Sequence, residues 1–259
     1  MAAETICGDE DLGYRRSLSD FAEPLRLDES YRRAHLPLLR PEHPGVIAHD
    51  AERGYLMGRH EAIFSLVMML PAEALAASPA FAAFEAELRA APFAAKIAWD
   101  LQPKRADRLH ATVVGTLSRG TPPLIAPETR RALAALGPFE VVLRGPFSGT
   151  VNRGRLYLRT YPALGDGANP LQVIQQEFGR APGDLWLVGL YNLVADLDAA
   201  ETAALGHLVA RWWDRDLLRL TVRDLAVMGA HDDLVLDSRI VETLPLAASE
   251  SRQPQGEQP

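Results

Sequence analysis

The most informative stretch of the sequence runs Arg108-Leu109-His110-Ala111-Thr112-Val113-Val114-Gly115. Its β-branched, apolar residues predict a strand over 109–117, and alternation along a strand places His110 and Thr112 on one face. An imidazole moves protons near neutral pH, and a hydroxyl donates a hydrogen bond to a phosphoryl oxygen. The pair therefore predicts acid/base chemistry on a phosphoryl group, while the plainer interpretation is a histidine hydrogen-bonded within an ordinary strand.

The segments around this strand predict an α+β fold with mainly antiparallel sheets. Both halves of the chain run through helix, strand, helix, strand and strand, which predicts two pseudo-symmetric lobes around a central cleft. The lobes are predicted over about 62–165 and 166–248, with exchange of strands between them allowed. Strands are predicted over 63–70, 96–101, 109–117, 139–143, 155–159, 185–194, 218–228 and 234–244, and helices over 79–91, 127–136, 170–178 and 198–212.

The two ends of the chain differ from this core. Residues 1–61 are polar and interrupted by prolines, so they predict an irregular N-terminal extension with one short helix within 28–39. The core domain is predicted over 62–248. Residues 249–259 contain no apolar side chain and predict a disordered tail.

Composition limits the partners. Acidic residues outnumber basic ones, 34 to 27, so long nucleic acid is not an expected partner, whereas a small anionic ligand held by a few arginines is. The apolar runs are too short to span a bilayer and no signal peptide is present, which predicts a cytoplasmic protein without a membrane partner. The oligomeric state is not predicted.

The sequence predicts no metal site. Cys7 is the single cysteine, so no cysteine-based zinc site can form. Four histidines lie near carboxylates in the N-terminal extension, but no pair has ligand spacing on one element. Of these histidines (His35, His43, His49 and His60), the last comes just before the first core strand and could reach the rim of the cleft.

With His110-Ala111-Thr112 on an inner strand and this order of elements, the chain resembles the 2H phosphoesterase superfamily over about residues 62–246. That superfamily includes RNA 2′,5′-ligase-like proteins and cyclic nucleotide phosphodiesterases, and the stretches 220–228 and 240–246 look like its closing hairpin. The resemblance implies a bilobal fold in which each half brings a His-x-Thr or His-x-Ser motif to the cleft. It also implies metal-free and cofactor-free chemistry on a small nucleotide or cyclic phosphodiester.

The second motif is degenerate. The matching strand, within 184–193, has Leu187 in place of histidine and Gly189 in place of threonine, and a shift by one gives Trp186 and Val188. The family mechanism uses one histidine as base and the other as acid.

Three interpretations follow. The protein is a ligand-binding protein on the same fold, an enzyme with a substitute proton donor, or an enzyme of different chemistry that reuses the cleft. The candidate donors are Tyr157, Tyr191, His207 and His231. The leading prediction is a phosphodiesterase-like hydrolase of a small nucleotide-like or phosphorylated ligand. Its catalytic residues are His110 and Thr112, and its predicted ligand contacts are Arg108, Arg155, Tyr157, Tyr191 and Asn192.

Overall fold

A computed structural model describes residues 5–15, 21–148 and 152–247. The predicted tail at 249–259 lies outside these ranges. The described residues form ten strands: β1 (His49–Asp50), β2 (Tyr55–Leu56), β3 (Arg59–Met69), β4 (His110–Arg119), β5 (Phe139–Phe147), β6 (Arg155–Pro162), β7 (Leu187–Asn192), β8 (Asp216–Val222), β9 (Asp224–Asp232) and β10 (Ser238–Pro245).

The same described residues also form eight α-helices. They are α1 (Glu29–Ala34), α2 (Leu36–Leu39), α3 (Ala72–Ala76), α4 (Pro79–Arg89), α5 (Leu101–Arg105), α6 (Pro127–Leu136), α7 (Pro170–Glu177) and α8 (Ala199–Trp212). In the described ranges, no helix has the length and apolar character needed to cross a bilayer.

The strands form one open antiparallel sheet in the order β10-β9-β3-β4-β7-β6-β5-β8, and β1 and β2 form a hairpin beside the start of β3. In the middle, β4 and β7 are joined through a single residue pair, Ala111 and Val188. This junction divides the sheet into two halves of four strands with matching order. The predicted fold class, α+β with two pseudo-symmetric lobes of antiparallel strands, is confirmed.

Local sequence signals explain where the longer helices begin. Ser78 caps α4, because its hydroxyl accepts a hydrogen bond from the Phe81 N–H at 3.2 Å, and Pro79 follows at the first helical position. Asp198 and Glu201 form a reciprocal capping box at the start of α8. Gly137, with φ of +73°, ends α6.

Two predictions about elements are wrong. The segment 96–101 is not a strand but a 3₁₀ turn over Ala94–Lys96 followed by helix α5. The predicted strand over 218–228 is two strands, because the chain breaks at Arg223 and passes from one half of the sheet to the other.

The halves of the sheet exchange strands across position 165, as the sequence prediction allows: β9 and β10 join the first half, and β5 and β6 join the second.

The described part of the N-terminal extension packs into the core. Tyr31 and Leu36 are fully buried and belong to the main hydrophobic cluster. The Tyr31 hydroxyl donates to the Leu193 carbonyl at 2.7 Å and accepts from the Asn192 amide at 3.2 Å. Helix α1 is thus fixed over the end of β7, which places the residues that follow it beside the cleft between the halves.

Candidate functional site

A cavity of about 270 Å³ lies where the two halves of the sheet meet. This volume is slightly below the usual range for ligand pockets and suits a small ligand. One wall, on β3, β9 and the turn after β9, is mainly aliphatic and includes Ile63, Val67, Met228, Ala230 and Val235. The cavity is also lined by polar and ionisable residues, which are His35, His60, Ser65, His110, Thr112, Asn152, Arg155, Tyr157, Asp232 and Asp233.

One hydrogen bond orients the ring of His110. Its Nδ1 lies 2.8 Å from the Arg108 carbonyl oxygen, which can only accept, so Nδ1 carries the proton and Nε2 keeps a free lone pair. Burial, aided by the positive charges of Arg155 and Arg105, lowers the pKa of His110 to about 4. The ring is therefore neutral at pH 7 and can accept a proton at Nε2.

The pairing register of β4 and β7 identifies the residues of the second half that correspond to His110 and Thr112. Since Ala111 lies opposite Val188, the two-fold relation between antiparallel strands matches His110 with Leu187 and Thr112 with Gly189. All four residues line the cavity. The second half thus presents an aliphatic side chain and a glycine where the first half presents imidazole and hydroxyl.

A β-bulge in β7 determines which way the residues after Gly189 face. Gly189 pairs with Tyr157 and Tyr191 pairs with Leu156, so Leu190 is an extra residue. Alternation is reversed beyond it, and Tyr191 turns to the face away from the cavity, where its ring packs on Phe84 and Trp99. Tyr191 is therefore not among the residues that line the cavity. Simple alternation from Leu187 would have placed it there.

Asn192 lies on the cavity side of β7 but is covered by helix α1. It is fully buried, and its amide donates to the Tyr31 hydroxyl. Its Oδ1 is buried without a hydrogen-bond partner among the described residues. Asn192 therefore supports the cavity wall from behind and does not line the cavity.

The guanidinium of Arg155 occupies the space beside Gly189. A methyl group built at Gly189 would overlap the guanidinium nitrogens in this position, so the guanidinium occupies the space that the missing side chain leaves. Its Nη1 lies 3.2 Å from both acceptors, His35 Nε2 and the Asp233 carbonyl. The ring of Tyr157 lies 5.4 Å from the guanidinium carbon, a cation–π contact. Arg155 and Tyr157, both predicted ligand contacts, therefore line the cavity together.

A second arginine lies behind this wall. Arg105 on α5 is almost fully buried, and its Nη2 donates to the Gly189 carbonyl at 3.0 Å. Its Nε and Nη1 have no partner among the described residues. Burial, together with the charge of Arg155, lowers the pKa of Arg105 to about 9, which still leaves it charged at pH 7.

His35, from the N-terminal extension, is a buried partner of Arg155. Because its Nε2 accepts from Arg155, its proton is on Nδ1. Burial and the neighbouring Arg155 lower the pKa of His35 to about 3, so the ring is neutral. It stacks on Tyr31, with ring centroids 5.0 Å apart. Sequence reasoning missed this role, since the only local signal was a cluster of histidines in a polar segment.

His60 is held as a cation at the other end of the cavity. Its Nδ1 lies 2.6 Å from the Glu61 carbonyl and its Nε2 lies 3.3 Å from Asp233 Oδ1. Both oxygens only accept, so both ring nitrogens carry protons. Burial lowers the pKa of His60, but the hydrogen bond to Asp233 and the nearby acidic groups outweigh it and raise the pKa above its ordinary value.

Asp233 connects His60 to the extension. Its Oδ2 accepts from the Tyr55 hydroxyl at 2.9 Å. Burial alone would raise the pKa of Asp233. The hydrogen bonds from His60 and Tyr55 and the proximity of His35 outweigh burial and lower this pKa to about 2. With both ring nitrogens protonated, His60 forms an ion pair with Asp233 whose charges cancel.

Three other predicted residues lie outside the cavity. Arg108 donates to the Leu236 carbonyl at 3.0 Å and so ties the start of β4 to the turn at 233–237. His207 is exposed on α8, and His231 is exposed beside a separate surface pocket. In the described part of the chain, no three His, Cys, Asp or Glu side chains are grouped so that they could hold a metal ion.

The chain is similar to solved structures of LigT from E. coli, a 2H phosphoesterase and so a member of the superfamily that the sequence resembles. The apo structure is 15% identical, covers 72% of this chain and 99% of LigT, and has a TM-score of 0.36. The complex with ATP is 14% identical, covers 73% and 99%, and has a TM-score of 0.35. No protein-family model and no curated protein matches the chain.

Proposed function

We propose that the protein acts on a small phosphorylated ligand in this cavity, with His110 as general base and Thr112 as donor to a phosphoryl oxygen. The observation that carries the proposal is the orientation of His110. Its Nδ1–H is held by the Arg108 carbonyl, and its unprotonated Nε2 remains available in a cavity that also contains a guanidinium. A neutral imidazole beside a fixed cation is suited to activating a nucleophile next to a phosphoryl group.

Arg155 supplies the charge complementarity in this proposal. A guanidinium donates in a planar fork that matches phosphoryl oxygens, and Tyr157 and His35 hold it in place. The aliphatic wall opposite would contact the uncharged part of the ligand. The proposal assigns no step to a metal or cofactor, because histidine, hydroxyl and guanidinium together provide proton transfer and anion binding.

The test is hydrolysis of a panel of 2′,3′-cyclic nucleotides, 2′,5′-linked dinucleotides and nucleoside 5′-diphosphates, with a chelator present. We expect His110→Ala to lower kcat/KM by about 10²- to 10⁴-fold, the usual contribution of a positioned base. His207→Ala, which removes an exposed histidine far from the cavity, is the matched control and should behave as wild type. Wild-type turnover by His110→Ala, or activity that the chelator abolishes, would rule out this mechanism.

The second candidate is a binding protein on the same scaffold. The observation that favours it is that Leu187 and Gly189 occupy the positions of the second motif. A binding protein would show no turnover of any panel member. Calorimetric titration with a nucleotide would show binding heat for the wild type and none for Arg155→Gln. Turnover that depends on His110 would exclude this candidate.

A further inference from the structure

A pseudo-two-fold axis between β4 and β7 relates each position of one strand to a position of the other. The cavity contains the base His110, but the position equivalent to His110 in the second half carries no proton donor. Leu187 is the counterpart of His110, and its side chain can neither bind nor release a proton. Gly189, the counterpart of Thr112, offers no side chain at all. A reaction that starts with His110 must therefore end on a leaving group that is stabilised in some other way.

What the second half offers instead is a fixed positive charge. Arg155 fills the space that Gly189 leaves open, and its Nη1 is held by His35 and the Asp233 carbonyl. Arg105 adds a second, buried charge behind Gly189. A guanidinium stays protonated throughout a reaction, so it stabilises an oxyanion but does not protonate it.

Apart from the phenol of Tyr157, the other ionisable groups of the cavity are hydrogen-bonded to neighbouring groups. His35 is neutral and uses Nε2 to accept from Arg155. Both N–H groups of His60 are taken, by the Glu61 carbonyl and by Asp233, and Asp232 and Tyr55 also face this pair. Asp233 is an anion with a hydrogen bond at each carboxylate oxygen. Tyr157 lies against Arg155 and is the one phenol in the cavity lining.

We propose that the scissile bond is a phosphoanhydride, so that the leaving group is itself a phosphate and needs no proton. This inference rests on the proposed function and names its substrate class. His110 Nε2 takes a proton from water, and the water oxygen forms a new bond to phosphorus. The bond from phosphorus to the bridging oxygen breaks, and its electron pair stays on that oxygen, which departs as a phosphate anion beside Arg155. The proton on His110 then passes to solvent.

The first arm of the test compares leaving groups in the wild-type protein. Nucleoside 5′-diphosphates should turn over at least about 100-fold faster than 2′,3′-cyclic nucleotides, whose leaving group is a ribose oxygen. In a series of methyl aryl phosphodiesters, the rate should rise steeply with the acidity of the phenol. The rate should also rise with pH as His110, which faces Arg105 and Arg155, loses its proton, and should then stay level into the alkaline range.

The second arm replaces the cation. Arg155→Gln should lower kcat for the anhydride by about 10²- to 10³-fold, as loss of one oxyanion donor does, and Arg155→Lys should recover part of this loss. Arg153→Gln, an exposed neighbour in the same hairpin, is the matched control and should match wild type. Thermal unfolding of each variant separates a loss of charge from a loss of fold.

The outcomes distinguish the two proposals. Equal or faster turnover of the cyclic nucleotides overturns the anhydride assignment and leaves the proposed function standing. A fall in rate at alkaline pH that is abolished by His60→Gln or Tyr157→Phe would also overturn the anhydride assignment, because the substituted residue would then be the proton donor. If the wild type turns over no member of either class, the proposed function fails and the inference fails with it.

Discussion

The three histidines of the cavity differ in protonation because each ring has different neighbours. His110 donates to a carbonyl from one nitrogen and keeps the other free, His35 accepts from a guanidinium, and His60 donates from both nitrogens. One or two polar atoms beside each ring therefore decide whether it is a base, a fixed acceptor or a cation.

Burial of neutral His35 predicts a loss of stability in acid. The pKa of His35 is about 3 in the folded protein and about 6.5 in an unfolded chain, so below pH 6.5 the unfolded state binds the extra proton. Stability should fall as the pH drops from 6.5 toward 3, by up to about 1.4 kcal/mol per pH unit from this residue. His35→Gln, which can still accept from Arg155, should flatten the slope measured by urea unfolding at several pH values.

The control for this slope is His207→Gln, because His207 is exposed on α8. It should leave the pH dependence of the free energy of unfolding unchanged. A slope in His35→Gln equal to that of wild type would mean that His35 takes up no proton on unfolding, and the neutral, buried state assigned to it would then be wrong.

Site residues close to the motif or to a glycine-rich hairpin could be named from the sequence, and those brought in by long-range packing could not. Arg155 was predicted as a phosphate-binding guanidinium in the hairpin that contains Gly154, Tyr157 was predicted as a ligand contact and candidate proton donor, and both line the cavity. His35 and His60 belong to a segment that the sequence described as irregular. Nothing local to that segment indicates that Tyr31, the buried residue of α1 that stacks on His35, brings His35 against Arg155.

At the scale of elements, helices with strong caps were predictable, and so were most strands, but the division of one long run was not. Ser78 and Asp198 begin α4 and α8 as predicted, because a cap acts within three residues of itself. The run 218–228 contains no glycine or proline to mark a break, and its division between two halves of the sheet depends on partners far away in the sequence. In α5, Pro103 lies in the first turn, where its missing N–H costs nothing, so it does not prevent the helix that replaces the predicted strand.

The capping box of α8 gives a stability prediction. Asp198 accepts from the Glu201 N–H and Glu201 accepts from the Asp198 N–H, both at 2.9 Å. Asp198→Ala should lower the free energy of unfolding by about 0.5–2 kcal/mol, while Asp198→Asn should lower it much less. Urea unfolding measures both. Asp214→Ala, an exposed aspartate just after the same helix, should have little effect, and an equal loss there would mean that charge rather than capping is responsible.

For the whole molecule, the important feature is the contrast between strong pairing within each half and one residue pair between them. Strand β5 pairs with β6 over six residue pairs, whereas β4 and β7 share only Ala111 and Val188. Other contacts across the junction come from outside the two strands. Side chains of α5 donate to the carbonyls of Gly189 and Leu190, and backbone hydrogen bonds join residues 96–98 to residues 192–194. The halves are therefore joined less by strand pairing than by the segment that leads into α5.

This contrast predicts uneven protection from hydrogen exchange. Amides of β4 and β7 that face the junction should exchange faster than those in the middle of β5 and β6, because fewer ladder hydrogen bonds must break to expose them. Hydrogen–deuterium exchange followed by mass spectrometry would measure this on peptides that cover each strand. Equal protection in the two regions would mean that the halves open only when the whole protein unfolds.

The extra residue at Leu190 has a consequence for comparing this chain with others. It reverses the alternation of side chains along β7. Each residue after Leu190 therefore lies on the opposite face from the one that regular alternation from Leu187 would give. In a related chain without the insertion, an alignment that leaves no gap at Leu190 would pair Tyr191 with a residue on the ligand side and Asn192 with a residue on the opposite face. That alignment column would then contain residues from two environments. Its variation would reflect whether a chain has the bulge, and not only which ligand the chain binds.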